Sequence, residues 1–461
     1  MANKRLSPTI GKGMAACLLC LLIVACSGSD GDDRGPSMDD GSAIAFATDV
    51  TTRANTTIDS TGALQKLPLG IGVFAYLTEE KTWNDAISGK TKKADDYPIP
   101  DFMFNQQLVW RIQRIEGSDT IRRWMYDPVK YWPNSSENKD PRYISFFAYA
   151  PWEADTEAAK DYGITEMPCN DDKSPHLKYK IGPVGYMTDL LYANAIDANR
   201  NENGLIEVTE KDGTREFMYR NVKLQFHHAL ACVDIYIQRV YDEPHYSGKA
   251  PDEEKETKLF VSQLELVSSD NEEIFEEGYL DLATEKWTLP NSSDSDTDKK
   301  CAITYAEDLL NDSISGTVNN KDLPIIADRE LNKWERTGFG IDGKERCLFK
   351  EGNALFFIPQ ELTLTPTLKY SMLTQDNDLS LSDYVDIKGN KYARIVHTVQ
   401  GNSLKLKFEK GKRYKLLIHI EAEHIRFEVV SVTDWDFPLR FDTSVVQDFN
   451  EESKNHELNE N

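Results

Sequence analysis

Residues 404–429 read LKLKFEKGKRYKLLIHIEAEHIRFEV, and three runs in this stretch alternate apolar with polar side chains. Alternation with a period of two is typical of a β-strand that has one face buried and the other in water. The first two runs meet at the turn-forming segment 409–412, which contains Gly411. The pattern predicts a meander of three antiparallel strands, and it indicates a β-rich fold.

The rest of the chain carries similar strand signals. Dense apolar runs at 72–76 and 144–149 are typical of buried strands, and further strands are predicted at 229–240, 259–267 and 355–358. Helical periodicity is weak throughout. We therefore expect an all-β protein with few, short helices.

The N-terminus has the pattern of an export signal. Lys4, Arg5 and Lys12 are followed by an apolar stretch at 15–25, which is too short to cross a bilayer but typical of a signal peptide. The stretch ends in a sequence that resembles a lipobox, so Cys26 is predicted to be acylated and to become the new N-terminus. Small and acidic residues follow it, which indicates a flexible tether.

Composition and motifs exclude several classes of function. The net charge is −24 and the pI about 4.8, and an acidic surface repels nucleic-acid phosphates. The sequence contains no Gly-x-Ser-x-Gly, no His-Glu-x-x-His and no phosphate-binding glycine loop, so we expect neither an enzyme nor a cofactor. Four cysteines beyond Cys26 leave disulfide pairing open: Cys169, Cys232, Cys301 and Cys347.

Two features contain residue types that bind metals. The adjacent histidines 227 and 228 lie in an apolar strand, and we interpret them as core or edge histidines. Asn199, Asn201, Asn203 and Glu210 match the spacing of an EF-hand calcium loop, with Gly204 at its turn. An asparagine in place of the first aspartate removes charge, and no helical pattern flanks the motif. A solvated hairpin loop is the favoured interpretation, and no metal is expected.

The order of several elements resembles a known family. After the lipobox come Thr52-Arg53-Ala54, an aromatic block at 124–134, and the segments 188–193, 226–231 and 432–435. Together they resemble the fimbrillin-like (Mfa-like) proteins of Bacteroidales, which are subunits of surface fimbriae. The resemblance implies two tandem transthyretin-like β-sandwich domains, a place on the outer membrane surface, and assembly by strand exchange.

The family scheme also implies a maturation step. A surface arginine-specific protease would cut between Arg53 and Ala54, removing the first strand with its lipid anchor, and a strand of the next subunit would replace it. The candidate leaving strand presents Ile44, Phe46, Thr48 and Val50 on one face. The candidate donor strand presents Phe437, Leu439, Phe441, Thr443 and Val445. Both runs have a period of two and a threonine in the penultimate place. Alternatively, 437–445 completes the last strand of its own domain.

These expectations give an organisation for the whole chain of 461 residues, which is long for one domain. The predicted segments are a signal peptide at 1–25, a lipidated tether with the propeptide strand at 26–53, β-sandwich domains at 54–215 and 216–446, and an acidic tail at 447–461. The expected partners are other fimbrial subunits, the arginine-specific protease, the outer membrane through the lipid, and a host or bacterial surface ligand of unknown identity.

A different class of function stays open at this point. A monomeric surface lipoprotein could bind glycan or a host ligand, using exposed tryptophans as sugar platforms. The available candidates are Trp83, Trp110, Trp152, Trp287 and Trp334. A hydrolase is the least favoured class, because the abundant carboxylates allow a catalytic pair to be chosen arbitrarily.

Overall fold

The structure is a computed structural model. It describes residues 43–50, 58, 61–91, 98–114, 120–133, 142–155, 160–168, 173–182, 187–203, 205–209, 215–219, 221–239, 258–268, 274–290, 302–306, 345–348, 354–375, 384–387, 390–421 and 424–435. All of these residues belong to one compact unit. Cys26, Arg53, Ala54, Glu210 and the candidate donor strand 437–445 lie outside the described residues.

Most of the described residues lie in strands. The strands are β1 Phe46–Val50, β2 Ile71–Glu79, β3 Met103–Arg114, β4 Thr120–Met125, β5 Tyr143–Ala150, β6 Gly163–Glu166, β7 His176–Lys180, β8 Leu191–Ala198, β9 Leu205–Thr209, β10 Arg215–Tyr219, β11 Val222–His228, β12 Ala231–Arg239, β13 Lys258–Ser268, β14 Glu277–Asp281, β15 Lys286–Thr288, β16 Ala302–Ala306, β17 Arg346–Cys347, β18 Leu355–Phe357, β19 Gln360–Gln375, β20 Tyr384–Ile387, β21 Asn390–Gln400, β22 Leu404–Phe408, β23 Lys412–Ile420 and β24 Ile425–Asp434. The helices are α1 Thr61–Gln65, α2 Trp83–Ile87 and α3 Arg200–Asn203. The predicted all-β class with few short helices is confirmed, and none of the described helices is long and apolar enough to cross a membrane.

The first half of the chain forms a seven-stranded sheet in the order β1-β11-β8-β5-β2-β3-β4. Its central strands are apolar at consecutive positions because both faces are covered. In β2, Val73 and Ala75 belong to the cluster on one face, whereas Phe74 and Tyr76 belong to a second cluster on the other. A dense apolar run of this kind is expected for a strand buried on two sides.

The second half forms a sandwich of two sheets. One has the order β17-β12-β23-β24, with β18 also on β12, and the other has the order β16-β13-β19-β21-β20, with β22 also on β19. Side chains from both sheets interdigitate in a single cluster that includes Val233, Leu264, Leu368 and Ile418. The architecture is that of a β-sandwich with a shared apolar interior.

The predicted three-stranded meander is wrong in one strand. β23 pairs antiparallel with β24, as expected. β22, however, pairs with β19 in the opposite sheet, so the turn at 409–412 carries the chain across the sandwich. Leu406 and Tyr414 still point into the same core, because a period of two fixes which face is buried and leaves the partner strand open.

A third cluster joins the halves of the chain. Phe147 and Tyr149 of β5 pack there with Leu280 of β14, Phe356 of β18 and Trp435. β14 also pairs with β7, in a four-stranded sheet of order β15-β14-β7-β6. The chain passes from the first sheet to the sandwich between β11 and β12, and the division into tandem domains at 215 stays a prediction.

Two of the four cysteines can be placed. In the ladders of β12, Cys232 lies opposite Phe356, and Cys347 lies opposite Tyr236. Cys232 packs in the joining cluster, whereas Cys347 packs against the sandwich interior. These two cysteines are therefore not cross-strand partners, and Cys169 and Cys301 lie outside the described residues.

Candidate functional site: the groove that holds the first strand

β1 closes the first sheet. Along one side it pairs in parallel with β11, in a register that runs from Phe46 opposite Val222 to Val50 opposite Phe226. Along its other side it meets β4 and the residues that follow it, which form the far end of the same sheet. Without β1, the edge of β11 would present unpaired backbone groups, and the space between β11 and β4 would be an apolar gap.

Burial alternates from Ile44, two residues before β1, to Ala47, as the sequence predicts, and Thr48 is half-buried. Ile44 is fully buried and Phe46 is 4% exposed, whereas Ala45 and Ala47 are half-buried. The ring of Phe46 meets Tyr126 and Phe146 edge-on, with ring centroids 5.8 and 5.4 Å apart. Burial of a phenylalanine ring among such neighbours contributes roughly 2–3 kcal/mol. Phe46 is therefore the main apolar anchor of the strand.

Three hydrogen bonds hold β1 and Ile44, which precedes it, to the far edge. The indole Nε1 of Trp124 donates to the hydroxyl Oγ1 of Thr48 at 2.9 Å. The phenol of Tyr126 donates to the carbonyl of Ile44 at 2.8 Å, and the Ile44 amide donates to the carbonyl of Lys130 at 2.9 Å. Burial raises the pKa of Tyr126, so this phenol stays protonated and acts as a donor near neutral pH.

A buried polar cluster lies near the end of the groove. The carboxylate of Asp189 lies 3.0 Å from the Nδ1 of His228, the last residue of β11. The same carboxylate accepts the backbone amide of Ile58 at 3.1 Å, and the ring of His228 stacks on Trp435 with centroids 3.5 Å apart. The cluster thus fixes two points of the chain, one after the predicted cleavage site at Arg53 and one just before the candidate donor strand.

A sequence profile of the family described as fimbrillin-like matches residues 52–435. The chain belongs to the fimbrillin-like family. It is 24% identical over 426 residues to the protein named Fimbrium subunit Fim1C of Phocaeicola vulgatus, in an alignment that covers 91% of this chain and 94% of that protein. A solved fimbrial protein from Bacteroides vulgatus superposes with a TM-score of 0.52 at 19% identity, covering 86% of this chain and 99% of that one. The likeness to the solved structure supports the same fold.

Strand β1 and the candidate donor both lie outside the part of this fimbrillin-like chain that the family profile matches. The residues that receive β1 lie inside it. Trp124, Tyr126 and Lys130 come from the aromatic block, Asp189 from the segment at 188–193, and His228 from the segment at 226–231. In the sequence, these elements are recognisable only as signs of the family. Their role at the groove depends on which strands become neighbours.

The two metal-binding hypotheses have different outcomes. His228 is 1% exposed and pairs with Asp189, as expected of a core histidine, while the half-buried His227 lies beside Tyr192. In the described part of the chain, no three His, Cys, Asp or Glu residues lie close enough together to hold a metal ion.

The hairpin loop favoured for the calcium motif is wrong at its start, where the chain forms the helical turn α3. Asn199 is 3% exposed, and its side-chain oxygen accepts the amide of Glu202 at 3.1 Å, while the Asn203 side chain accepts the amide of Asn199 at 3.3 Å. Asn199 therefore acts as a helix N-cap. Asn201 is exposed, and Glu210 lies outside the described residues.

The tryptophans proposed as sugar platforms are less available than the sequence suggests. Trp83 is 2% exposed, in the core. Trp110, Trp152 and Trp287 are half-buried, and the last two donate their indole N–H to backbone carbonyls at 3.1 and 2.8 Å. Of the five candidates, only Trp334 lies outside the described residues.

Proposed function

We propose that this fimbrillin-like protein is a structural and adhesive subunit of a bacterial surface fimbria. It is exported as a lipoprotein through Cys26, matures by cleavage after Arg53, and joins its neighbours by donor-strand exchange. The observation that carries the proposal is the position of β1, which fills the groove between β11 and β4 and ends three residues before Arg53, the predicted cleavage site. Family membership and the relative named as a fimbrium subunit support the same function.

The physical reason for a cleavage step lies in how β1 is attached. In the precursor, the covalent link through 51–57 keeps β1 at a high effective concentration beside its groove, so a competing strand cannot displace it easily. A cut after Arg53 removes the high effective concentration of β1 and makes it a separate segment that is held without a covalent bond. An extended strand with the same apolar period then competes on equal terms, with backbone hydrogen bonds providing affinity and alternate side chains providing specificity.

Its partners follow from this scheme. They are other subunits of the same or a related type, the surface arginine-specific protease, and the outer membrane while the lipid is still attached. Nucleic acid is not a partner, because the net charge of −24 repels phosphates.

The test is Arg53→Ala in full-length protein expressed in its own host. Wild-type protein released from the surface should begin at Ala54 and run as a ladder of oligomers, whereas Arg53→Ala should keep the acylated Cys26 and stay monomeric. Arg53→Lys should also block maturation, because the protease reads arginine. N-terminal sequencing and gel electrophoresis without heating measure both outcomes.

Arg34→Ala is the matched control, since Arg34 is the only arginine besides Arg53 between Cys26 and Ala54. It should mature normally. Wild-type protein that stays monomeric and begins at acylated Cys26 would contradict the proposal and favour the glycan-binding lipoprotein instead.

A further inference from the structure

The groove requires a different kind of side chain at Phe46 and at Thr48 of β1. At Thr48, the buried indole N–H of Trp124 requires an acceptor, because a buried donor left without one costs as much as a lost hydrogen bond. At Phe46, the edges of two aromatic rings define an apolar pocket. A strand that fills the groove must therefore present an aromatic ring and, two residues later, a hydroxyl group.

On the basis of the proposed function, we infer that Trp124 selects the register of the incoming strand, and that segment 439–445 of a second copy satisfies the groove in one register only. The paired positions are Leu439 with Ile44, Phe441 with Phe46, Thr443 with Thr48, and Val445 with Val50. Three of these four pairs are identical and the fourth exchanges leucine for isoleucine. In this register the hydroxyl of Thr443 replaces that of Thr48 on Trp124.

The same register places Pro438 where a proline is tolerated. Pro438 then takes the position of Ala43, which forms an isolated antiparallel bridge with Tyr131. That bridge is closed by the neighbouring amide of Ile44, which donates to Lys130, so the N–H of Ala43 takes no part in it. A residue that lacks an N–H is acceptable at such a position.

Other registers fail on a named contact. A shift of one residue turns the apolar face of the strand outward. A shift of two residues keeps the faces but brings Phe441 or Val445 to Trp124, and neither side chain offers an acceptor. The hydroxyl at 443 therefore distinguishes the correct register from the nearest alternatives with the same face.

The first test needs no strand exchange. In the full chain, Ile44→Leu, Ala45→Arg, Ala47→Asp and Asp49→Ser together give β1 the sequence of 439–445 in the inferred register. This variant should fold, with an unfolding equilibrium constant in urea within about tenfold of the wild type, because three of the four inward residues are kept and leucine replaces isoleucine at equal volume. Failure of this variant to fold would overturn the inference.

A register-shifted variant is the matched control. Ile44→Phe, Phe46→Leu, Thr48→Phe and Val50→Thr place the residues of a two-residue shift on the inward face and leave the outward residues unchanged. Its unfolding equilibrium constant should be more than about a hundredfold larger than that of the wild type. The reason is that Phe at 48 crowds the groove and leaves the indole N–H of Trp124 without an acceptor. Equal stability of the two variants would show that the groove does not discriminate between registers of the bound strand.

The second test measures assembly. After treatment with an arginine-specific protease, full-length Thr443→Val should form the oligomer ladder about tenfold more slowly than wild type, and Thr443→Ser should restore the rate. Ser444→Ala, on the opposite face, should have no effect. In a Trp124→Phe background, chains with threonine or valine at 443 should form the ladder at the same rate, because the substitution removes the indole N–H that donates to the hydroxyl.

The two proposals fail differently. A wild-type chain that forms no ladder after cleavage contradicts strand exchange, while the grafted precursors still decide the register. A normal ladder that is equally fast for Thr443→Val and wild type contradicts the inference and leaves strand exchange in place.

Discussion

Asp189 is the most constrained charged residue near the groove. Its side chain is 2% exposed, and that of its partner His228 is 1% exposed. Burial of a carboxylate is costly unless its oxygens are satisfied, and here one partner is an imidazole and the other is the amide of Ile58. The pair therefore ties the chain after Arg53 to the end of β11.

Asp189→Asn should lower the free energy of unfolding of the full chain by about 3 kcal/mol, because it leaves a buried histidine without its carboxylate. Urea denaturation followed by tryptophan fluorescence measures the change. Asp161→Asn is the control, since Asp161 is exposed, and it should change stability by less than about 0.5 kcal/mol. Equal losses in the two variants would show that the buried pair contributes nothing specific.

At this scale the sequence identifies only half of the site. The alternation at 44–50 predicts which side chains of β1 face inward, and the structure shows Ile44 and Phe46 buried. The residue that donates to Thr48 could not be predicted. Trp124 is 76 positions away, and the alternation within one strand carries no information about its distant partner. Tyr126 and Asp189 escape prediction for the same reason.

At the scale of elements, β22 and β23 show that alternation predicts where strands lie but not which strands pair. Their strand positions agree with the alternation at 404–420, but they belong to opposite sheets. β23 pairs instead with β12, in parallel, and so connects segments far apart in sequence. Alternation reports burial of one face, and both sheets of a sandwich bury that face equally well.

The start of β2 offers a matched test of backbone geometry. Gly70 and Gly89 both have positive φ angles, of 71° and 69°. A Cβ at Gly70 would lie 1.9 Å from the carbonyl oxygen of Leu108, whereas one at Gly89 would meet nothing within 4 Å. Gly89 follows α2 in the left-handed conformation typical of a helix end.

Gly70→Ala should therefore destabilise the full chain by more than about 3 kcal/mol, since conformational strain adds to a backbone overlap that only a shift of β3 can relieve. Gly89→Ala carries the strain alone and should cost about 1 kcal/mol. Urea denaturation of both variants gives the comparison. A Gly89→Ala loss as large as that of Gly70→Ala would contradict the role assigned to the contact with Leu108.

At the scale of the whole molecule, charge governs how copies meet. The sequence carries 77 acidic and 53 basic residues, a net charge of −24, so two copies repel one another. The screening length falls from about 30 Å at 0.01 M salt to about 8 Å at 0.15 M. Ladder formation by protease-treated protein should therefore become several-fold faster when sodium chloride is raised over this range.

Sucrose at equal osmolality is the control, because it does not screen charge, and it should leave the rate near its low-salt value. Timed gel samples without heating measure the rate of ladder formation. A slower rate at high salt would show that attraction between local charges outweighs the net repulsion.

The sequence by itself determined the secondary structure class and which side chains face inward at 44–47 and within 404–429. Alternation and dense apolar runs are local, and they reflect the burial that each segment requires. The tertiary structure alone decided the strand partners, the sheet assignment of β22, the contacts of Trp124 and Tyr126 with the first strand, and the place of Asp189 near the end of the groove. Those contacts join residues distant in the chain, and their free energy exists only when the whole sheet has formed.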